Sequence, residues 1–232
     1  MVTPGRRCVC DVGCDHGYVS IYLVQQGISE RVLATDVRKG PLSQAQENIR
    51  DAGLEAYIET RLSDGLKQIK PGECDAMVCA GMGGKLMVQI LEDGMETVNS
   101  MEELVLQPQS DLEFFRNWLF HHDFVMVAEN MVLEDGKYYP MMKVRRGTPP
   151  AEQGESLSLK YGGCLLAEKN EVLVQYLLWQ RGLQMQIRRQ VEEKAAATDE
   201  AQNRRTSRLQ EIQEELENCE AALRKMGYTD NM

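Results

Sequence analysis

The chain has 232 residues and 43% of them are hydrophobic, which is enough for one sizeable α/β domain with a smaller appendage. No apolar run approaches the roughly 18 residues that a membrane span needs, and the N-terminus lacks the apolar core of a signal peptide, so we expect a cytoplasmic protein. The net charge of −10 argues against nonspecific coating of nucleic acid, although it is compatible with a local basic patch. The seven cysteines lack the paired CxxC spacing of a zinc site, so we expect small buried hydrophobes and no bound metal.

Up to about residue 146, short β-branched apolar runs alternate with amphipathic stretches, which predicts a parallel sheet with crossover helices. The predicted strands are residues 7–12, 31–36, 56–62, 75–79 and 103–107. The predicted helices are residues 18–26, 41–52, 85–94 and 111–121. Residues 124–133 and 137–144 then flank a Glu-Asp-Gly turn, which predicts an antiparallel hairpin. A parallel sheet that ends in such a hairpin is typical of the Rossmann-like class I methyltransferase fold, whereas a dinucleotide dehydrogenase would continue with another βα unit.

The C-terminal third follows a different pattern. Residues 147–163 are rich in Pro, Gly, Ser, Glu and Gln, which predicts a linker. Beyond it, two groups of apolar residues have helical spacing, and the second repeats at intervals of three and four like a heptad seam. The groups are Leu173, Leu177, Leu183, Ile187 and Val191, and then Leu209, Ile212, Leu216, Cys219, Leu223 and Met226. We therefore expect a methyltransferase domain at 1–146 and, at 164–232, an arm of two antiparallel coiled-coil helices whose turn lies in the polar stretch 197–206. Helices packed flat on the main domain are the alternative.

The turn after the first predicted strand, Asp-Val-Gly-Cys-Asp-His-Gly at 11–17, lies where open α/β sheets bind nucleotides. It is not GxGxxG, because Asp15 occupies the place of the second glycine and a pyrophosphate there would meet a carboxylate. This disfavours NAD, FAD and ATP as ligands. S-adenosylmethionine has no phosphate and carries sulfonium and ammonium cations, which tolerate nearby carboxylates.

Two further acids follow predicted strands. Asp36 ends the second strand and can accept hydrogen bonds from ribose hydroxyls, while Asp64 follows the third and can accept one from an adenine amino group. For either acid alone, a helix cap or turn role is the alternative. After the fourth strand, Ala-Gly-Met-Gly-Gly at 80–84 predicts a flexible glycine loop where many amino-group methyltransferases carry a Pro-Pro-aromatic motif.

Four separated motifs occur in order along the chain: Asp-Val-Gly-Cys-Asp-His-Gly-Tyr at 11–18, Ala-Gly-Met-Gly-Gly at 80–84, Gln-Pro at 107–108 and Glu-Asp-Gly-Lys-Tyr-Tyr at 134–139. Together they resemble the bacterial tRNA (adenine-22, N1)-methyltransferase family over nearly the whole chain. The resemblance implies methyl transfer from S-adenosylmethionine to N1 of adenine 22, in the D-arm region of tRNA, with S-adenosylhomocysteine as the product. It departs at one end, since family members usually carry a helix with an Arg-Leu pair before the first strand, which here begins close to Met1.

The motifs and the resemblance give two sets of candidate site residues. The candidate cofactor residues are Asp11, Gly13, Asp15, Gly17, Asp36, Val37, Asp64, Gly65, Ala80, Gly81, Met82 and Gly83. The candidate catalytic residues, which the resemblance places at the substrate base, are Asp15, His16 and Tyr18. A carboxylate at Asp15 would accept from the adenine amino group as N1 is alkylated and that group becomes more acidic. The alternatives are a helix-start role for His16 and a core position for Tyr18.

The predicted arm carries a set of arginines that suits an RNA substrate. These are Arg181, Arg188, Arg189, Arg204, Arg205 and Arg208. A solvated face balanced by neighbouring glutamates is the alternative. Two other functions fit the first motif: a methyltransferase for another RNA, protein or small-molecule nitrogen, and a noncatalytic RNA-binding or dimerisation module. We expect a monomer that binds tRNA, with a dimer through the arm as the alternative, and no membrane or metal partner.

Overall fold

The computed structural model describes residues 1–193 and 198–228. Its centre is a seven-stranded sheet of order β3-β2-β1-β4-β5-β7-β6. The strands are β1 (Arg6–Val12), β2 (Ser29–Asp36), β3 (Ile58–Leu62), β4 (Ala76–Gly83), β5 (Glu103–Ser110), β6 (Phe124–Glu134) and β7 (Lys137–Arg146). β1 to β5 are parallel, whereas β7 is antiparallel to both of its neighbours. The predicted Rossmann-like sheet with a C-terminal antiparallel hairpin is therefore confirmed.

Helices cover both faces of this sheet. They are α1 (Tyr18–Gln25), α2 (Lys39–Asp51), α3 (Gly84–Asp93), α4 (Met95–Asn99) and α5 (Leu112–His121). Leu23 of α1 and Ile49 of α2 belong to the buried cluster on one face. Met87 of α3 and Phe115 of α5 belong to the cluster on the other face. Because both faces of the central strands β1, β4 and β5 are buried, those strands contain continuous apolar runs and not alternating ones.

Three details differ from the prediction. Helix α4 was not predicted, because it is a short segment that directly follows α3. β4 extends to Gly83 instead of ending at Cys79. The segment 147–163, predicted as a linker, contains a 3-10 turn at Ala151–Gly154 and a π turn at Ser158–Gly162. Its main contacts are with α5, where the Arg116 side chain donates to the carbonyls of Leu159 and Lys160.

The C-terminal helices are α6 (Gly163–Ala167), α7 (Glu171–Glu193) and α8 (Asp199–Lys225). α7 and α8 are antiparallel, since Arg205 near the start of α8 donates to the carbonyls of Val191 and Glu192 at the end of α7. The turn was expected within the polar stretch 197–206, and residues 199–206 of that stretch are already helical, because α8 begins at Asp199. Acidic residues favour a helix N-terminus and glutamine and arginine are good helix formers, so this polar stretch continues the helix. Residue 197 lies outside the described residues, and coiled-coil packing stays a prediction.

The base of the α7–α8 hairpin packs against the sheet. Leu177 of α7 and Leu223 of α8 share a buried cluster with Met131 of β6 and Leu165 of α6. Further along α7, Ile187 is only half-buried. The hairpin is thus attached through its base to the last strands of the sheet.

Six of the seven cysteines are buried, as predicted, and Cys164 is half-buried; all seven are free thiols. Within the described part of the chain, no helix is long and apolar enough to cross a membrane. Within the same residues, no group of three or more His, Cys, Asp or Glu side chains is arranged to hold a metal ion.

Candidate cofactor and substrate site

A cavity of about 650 Å³ lies at the carboxyl edge of the sheet, where β1, β2 and β4 end. The strand order reverses direction between β1 and β4, and ligands of open α/β sheets bind at this kind of switch point. Four carboxylates line the cavity, and we call it the acid-lined cavity. They are Asp11, Asp15, Asp36 and Asp64. Sequence motifs far apart in the chain therefore meet in one site.

Asp11 is, with Asp36, one of the two buried acids of this set. Its side chain accepts a hydrogen bond of 2.6 Å from the Ser20 hydroxyl, and the residue is only 4% exposed. Burial raises the pKa of Asp11 to about 6, and the nearby Asp36 carboxylate acts in the same direction, while the Ser20 hydrogen bonds oppose the shift. The ionised carboxylate is thus poorly stabilised until a cation lies beside it.

Asp36 holds the first two loops of the site together. Its carboxylate accepts hydrogen bonds from the backbone N–H of Asp15, at 3.3 Å, and of Arg38, at 2.8 Å. The Arg38 guanidinium lies 3.7 Å from the Asp15 carboxylate and 3.6 Å from that of Asp36. The position and the remaining lone pairs of Asp36 suit the predicted contact with ribose hydroxyls.

The glycine of the first turn is required by close packing. Gly13 has a φ of 75°, and a Cβ on it would lie 2.1 Å from the terminal methyl of Met82. Met82, near the end of β4, therefore covers the turn. Its sulfur lies 3.7 Å from the Cys79 thiol, so a side chain from the end of β4 shapes the floor of the cavity.

The predicted flexible glycine loop at 80–84 is wrong in its conformation. Residues 80–83 complete β4 and pair with the end of β5, with register shifts on both sides of Met82. The Gln107 side chain fixes this irregular end, because its Oε1 accepts a hydrogen bond of 3.0 Å from the Gly81 N–H. Pairing with a neighbouring strand is a tertiary effect that a glycine-rich sequence does not reveal.

Most of the predicted cofactor residues line the cavity. Val37 and Gly65 do so beside Asp64, which is largely exposed and forms an ion pair with Lys67. Gly17 and Gly83 are the two predicted residues that do not. Gly17 has a φ of 76° at the start of α1, and a Cβ on it would lie 3.1 Å from that of Ala45. A Cβ on Gly83 would approach the Ser110 hydroxyl to 3.0 Å. Both glycines are therefore explained by backbone conformation and close packing.

The three predicted catalytic residues lie together on the same wall. Asp15 has a φ of 49°, an unusual conformation for a non-glycine residue, and its carboxylate lies 3.6 Å from His16 Nε2. Tyr18 is 68% exposed and its ring centroid is 6.1 Å from that of His16. A core position for Tyr18 is thereby ruled out. Asn48 donates to the His16 carbonyl at 2.9 Å, which anchors this loop to α2.

Several residues that line the cavity were not predicted. They include Arg38, Ser63, Leu86, Ile90 and Gln107. Gln107 lies within β5 and belongs to the Gln-Pro motif at 107–108, so that motif was the available signal. Leu86 and Ile90 belong to α3, and only the packing of that helix brings them to the site.

The chemistry of the walls fits a cationic ligand. A buried carboxylate with a raised pKa, close to three others, would repel a pyrophosphate and attract an ammonium or sulfonium group. The exposed Val37 offers an apolar contact for a purine ring beside Asp36. The residues present therefore fit S-adenosylmethionine and disfavour a dinucleotide.

The arginines predicted to bind RNA lie on α7 and α8, away from this cavity. Three of them form ion pairs within their own helix, namely Arg188 with Glu192, Arg204 with Glu200 and Arg208 with Glu211. Arg205 instead donates to carbonyls at the end of α7. The glutamates thus balance much of this surface, and its contact with RNA stays a prediction.

Comparison with known proteins agrees with this geometry. The family model TrmK, tRNA (adenine(22)-N(1))-methyltransferase, matches residues 9–221. The chain belongs to this family. The tRNA (adenine(22)-N(1))-methyltransferase of Bacillus subtilis is 33% identical over 217 residues, which cover 92% of this chain and 89% of the relative.

Solved structures of this family share the complete fold. The crystal structure of B. subtilis TrmK has a TM-score of 0.80 and 29% identity, and the match covers 96% of this chain and 94% of the other. Streptococcus pneumoniae Sp1610 in complex with S-adenosyl-L-methionine has a TM-score of 0.75 and 32% identity, with coverage of 93% and 94%. Both matches include the C-terminal helices as well as the sheet. Family membership favours the tRNA methyltransferase interpretation over the two alternatives.

Proposed function

We propose that this chain transfers a methyl group from S-adenosylmethionine to N1 of adenine 22 in tRNA and releases S-adenosylhomocysteine. The observation that carries the proposal is the acid-lined cavity at the switch point of a methyltransferase sheet, in a chain of the TrmK family. Since tRNA is the substrate, the bacterial cytoplasm is the compartment in which the protein acts. We also propose that it acts as a monomer.

The cofactor residues divide by the part of the ligand that each suits. Asp11, buried behind Gly13, suits the cationic methionine end, and Asp36 suits the ribose hydroxyls. Asp64 and Val37 suit the polar edge and the face of the adenine. S-adenosylmethionine, when bound, supplies an electrophilic methyl group on a sulfonium centre.

The task of the chain is positioning more than proton removal. Adenine N1 is unprotonated near neutral pH and is already nucleophilic, so no base is needed to prepare it. Alignment of N1 with the methyl group can supply about 7–11 kcal/mol of the barrier reduction. We propose that His16, Tyr18 and Gln107, which all line the cavity, orient the base.

Asp15 is the candidate for stabilisation of the transition state. Methylation at N1 makes the adenine cationic and its exocyclic amine more acidic, so a carboxylate that accepts from this amine interacts more strongly in the transition state than in the ground state. The Asp15 side chain is more than half exposed on the cavity wall, where it is accessible to an incoming base. The Arg38 guanidinium lies 3.7 Å from this carboxylate.

The decisive experiment uses the full chain, labelled S-adenosylmethionine and unmodified tRNA transcripts that have adenine at position 22. We expect label in the tRNA and a reverse-transcription stop at this position, because N1-methyladenine cannot form a Watson-Crick pair. A matched transcript with guanine at position 22 should stay unlabelled. Equal labelling of both transcripts would disprove the assignment to adenine 22.

A further inference from the structure

A second cavity, of about 540 Å³, lies between the β6–β7 hairpin and α7. We call it the aromatic cavity, because its wall contains the packed rings of Tyr138, Tyr176 and Trp179. The ring centroids of the two tyrosines are 5.1 Å apart, and that of Trp179 is 5.9 Å from each. Trp179 is nevertheless 52% exposed. A large aromatic surface is therefore fixed in position and still open to an incoming ring.

The polar groups around these rings match the remaining parts of a nucleotide. Lys137 is exposed and, among the described residues, its ammonium group makes no ion pair, so it is available for a phosphate. Lys160 also lines the cavity, although it forms an ion pair of 2.7 Å with Glu215. The side-chain amides of Gln109 and Gln180 can donate to and accept from the edge of a base. Aromatic stacking combined with cations is how proteins hold unpaired nucleotides.

The aromatic cavity adjoins the acid-lined cavity. Gln109 lies two residues after Gln107 on β5, and its Nε2 is 3.8 Å from the position that a Cβ on Gly81 would take. Gly81 and Gln107 line the acid-lined cavity, whereas Gln109 lines the aromatic one. The ends of β4 and β5 thus separate the two cavities, and one RNA strand can contact both.

The aromatic cavity also accounts for a motif that methyl transfer does not use. Residues 136–139 of the Glu-Asp-Gly-Lys-Tyr-Tyr motif all line it. Gly136 has a φ of 74° at the hairpin turn, which places Lys137 and Tyr138 at the start of β7 opposite α7. The hairpin motif and the helical arm therefore build this cavity jointly.

We propose that the aromatic cavity binds a second nucleobase of the tRNA, different from the methylated adenine. An adenine inside a folded tRNA has to leave its stack before it can be methylated, and this exposes the base next to it. Stacking on Trp179 replaces the contact that this neighbouring base loses when the adenine leaves the stack. It also fixes the RNA backbone beside the acid-lined cavity. This inference rests on the proposed function, because it requires tRNA as the substrate.

The test compares Trp179→Ala with the wild-type chain. Stacking of a base on an aromatic side chain supports roughly a 5- to 150-fold gain in affinity, so the Kd for unmodified tRNA transcript should rise within that range. The KM for tRNA should rise in parallel, while kcat at saturating tRNA and the Kd for S-adenosylmethionine stay at the wild-type values. Trp179→Phe should retain most of the affinity, because any aromatic ring can stack.

Two further variants and one direct signal make the test specific. Tyr57→Ala removes an exposed aromatic side chain just before β3, outside both cavities, and should leave tRNA binding unchanged. Lys137→Gln should weaken tRNA binding and lower the salt dependence of log Kd by about 0.7–0.9, the value for one phosphate contact. Addition of tRNA should quench the fluorescence of Trp179, and this quenching should be absent in Trp179→Phe, because Trp118 is buried.

Wild-type affinity for tRNA in a folded Trp179→Ala variant would overturn the inference, and the surface would then serve a different partner. An equal loss of affinity in Trp179→Phe and Trp179→Ala would also overturn it, because a stacking site tolerates phenylalanine. Methylation of adenine 22 by the wild-type chain is measured in the same reactions. If the wild-type chain methylates adenine 22 and the variants bind tRNA normally, only the role proposed for the aromatic cavity is wrong. If the wild-type chain does not methylate adenine 22, the proposed function is wrong.

Discussion

At the scale of single residues, Asp11 combines a cost in stability with a proposed role in binding. Burial raises its pKa from the ordinary 3.8 to about 6. The folded chain therefore holds this proton more tightly than the unfolded chain does. The contribution of Asp11 to stability is fully present below about pH 3.8 and is lost as the pH rises through about 6.

Asp11→Asn should accordingly stabilise the ligand-free chain at pH 7.5 and abolish binding of S-adenosylmethionine. A pKa shift of this size corresponds to roughly 2–3 kcal/mol, since one pKa unit is about 1.4 kcal/mol. Urea unfolding at pH 7.5 and at pH 4 measures the first effect, and titration calorimetry measures the second. A stability difference between variant and wild type that is the same at both pH values would contradict the explanation.

Asp15 is the residue where the backbone limits how its role can be tested. Because its φ is 49°, asparagine is the best replacement, as it tolerates this left-handed conformation and removes only the charge. Asp15→Asn should lower kcat by about 10²-fold or more and leave the Kd for S-adenosylmethionine near the wild-type value. Asp51→Asn, on the exposed end of α2, is the matched control. Turnover at the wild-type rate in Asp15→Asn would rule out the proposed role.

At the scale of elements, a buried ion pair attaches the C-terminal helices to the sheet. Arg116 of α5 and Glu129 of β6 are 2.9 Å apart, and their side chains are 3% and 0% exposed. Glu129 also accepts a hydrogen bond of 3.0 Å from the Cys164 N–H at the start of α6. A Cβ on Gly162 would lie 2.6 Å from the same carboxylate. One charge pair thus connects α5, β6 and the segment that leads into the arm.

Glu129→Ala should lower the free energy of unfolding by about 3–5 kcal/mol, because it leaves the buried guanidinium without its countercharge. The double variant Arg116→Met with Glu129→Leu should recover most of this loss, since well-packed apolar residues can replace a buried ion pair. Urea unfolding followed by circular dichroism measures both. Glu134→Ala, exposed at the hairpin, is the control and should change little. A double variant as unstable as Glu129→Ala would show that the pair contributes more than charge balance.

At the scale of the whole molecule, a chain of net charge −10 has to bind a polyanion. Binding therefore requires a local cluster of positive side chains, because the net negative charge of the protein repels the RNA. Arg188 and Arg189 are adjacent on α7, and only Arg188 forms an ion pair within the described residues. The side chains of Arg188 and Arg189 are both exposed. These two arginines are therefore the most direct test of whether the arm contacts phosphates.

The double variant Arg188→Gln with Arg189→Gln should weaken tRNA binding and reduce the slope of log Kd against log salt by up to about 1.4–1.8, the value for two phosphate contacts. The control Arg224→Gln with Lys225→Gln makes the same charge change at the base of α8. Filter binding between low and moderate salt measures the slope, and calorimetry checks that binding of S-adenosylmethionine is unchanged. Equal slopes in both double variants would leave the glutamate-balanced surface as the correct interpretation.

The amino-acid pattern was enough to predict the order of the main elements, the class of fold and the position of the first site loop. Apolar runs and helical spacing depend on local preference and on burial, so they are visible along the chain. Asp11, Asp36 and Asp64 were predicted as one site because the carboxyl ends of parallel strands meet at one edge. The family followed from motifs whose order, and not only their composition, is informative.

How distant segments meet could be seen only in the tertiary structure. The pairing of residues 80–83 with β5, the contact of Met82 with Gly13 and the position of Gln107 all depend on neighbouring strands. The aromatic cavity depends on α7 lying beside the β6–β7 hairpin, a contact between segments that are separated by the whole of residues 147–170. Periodicity reports which side of an element is buried, but it does not report which other element covers that side, because packing partners are chosen by shape across the fold.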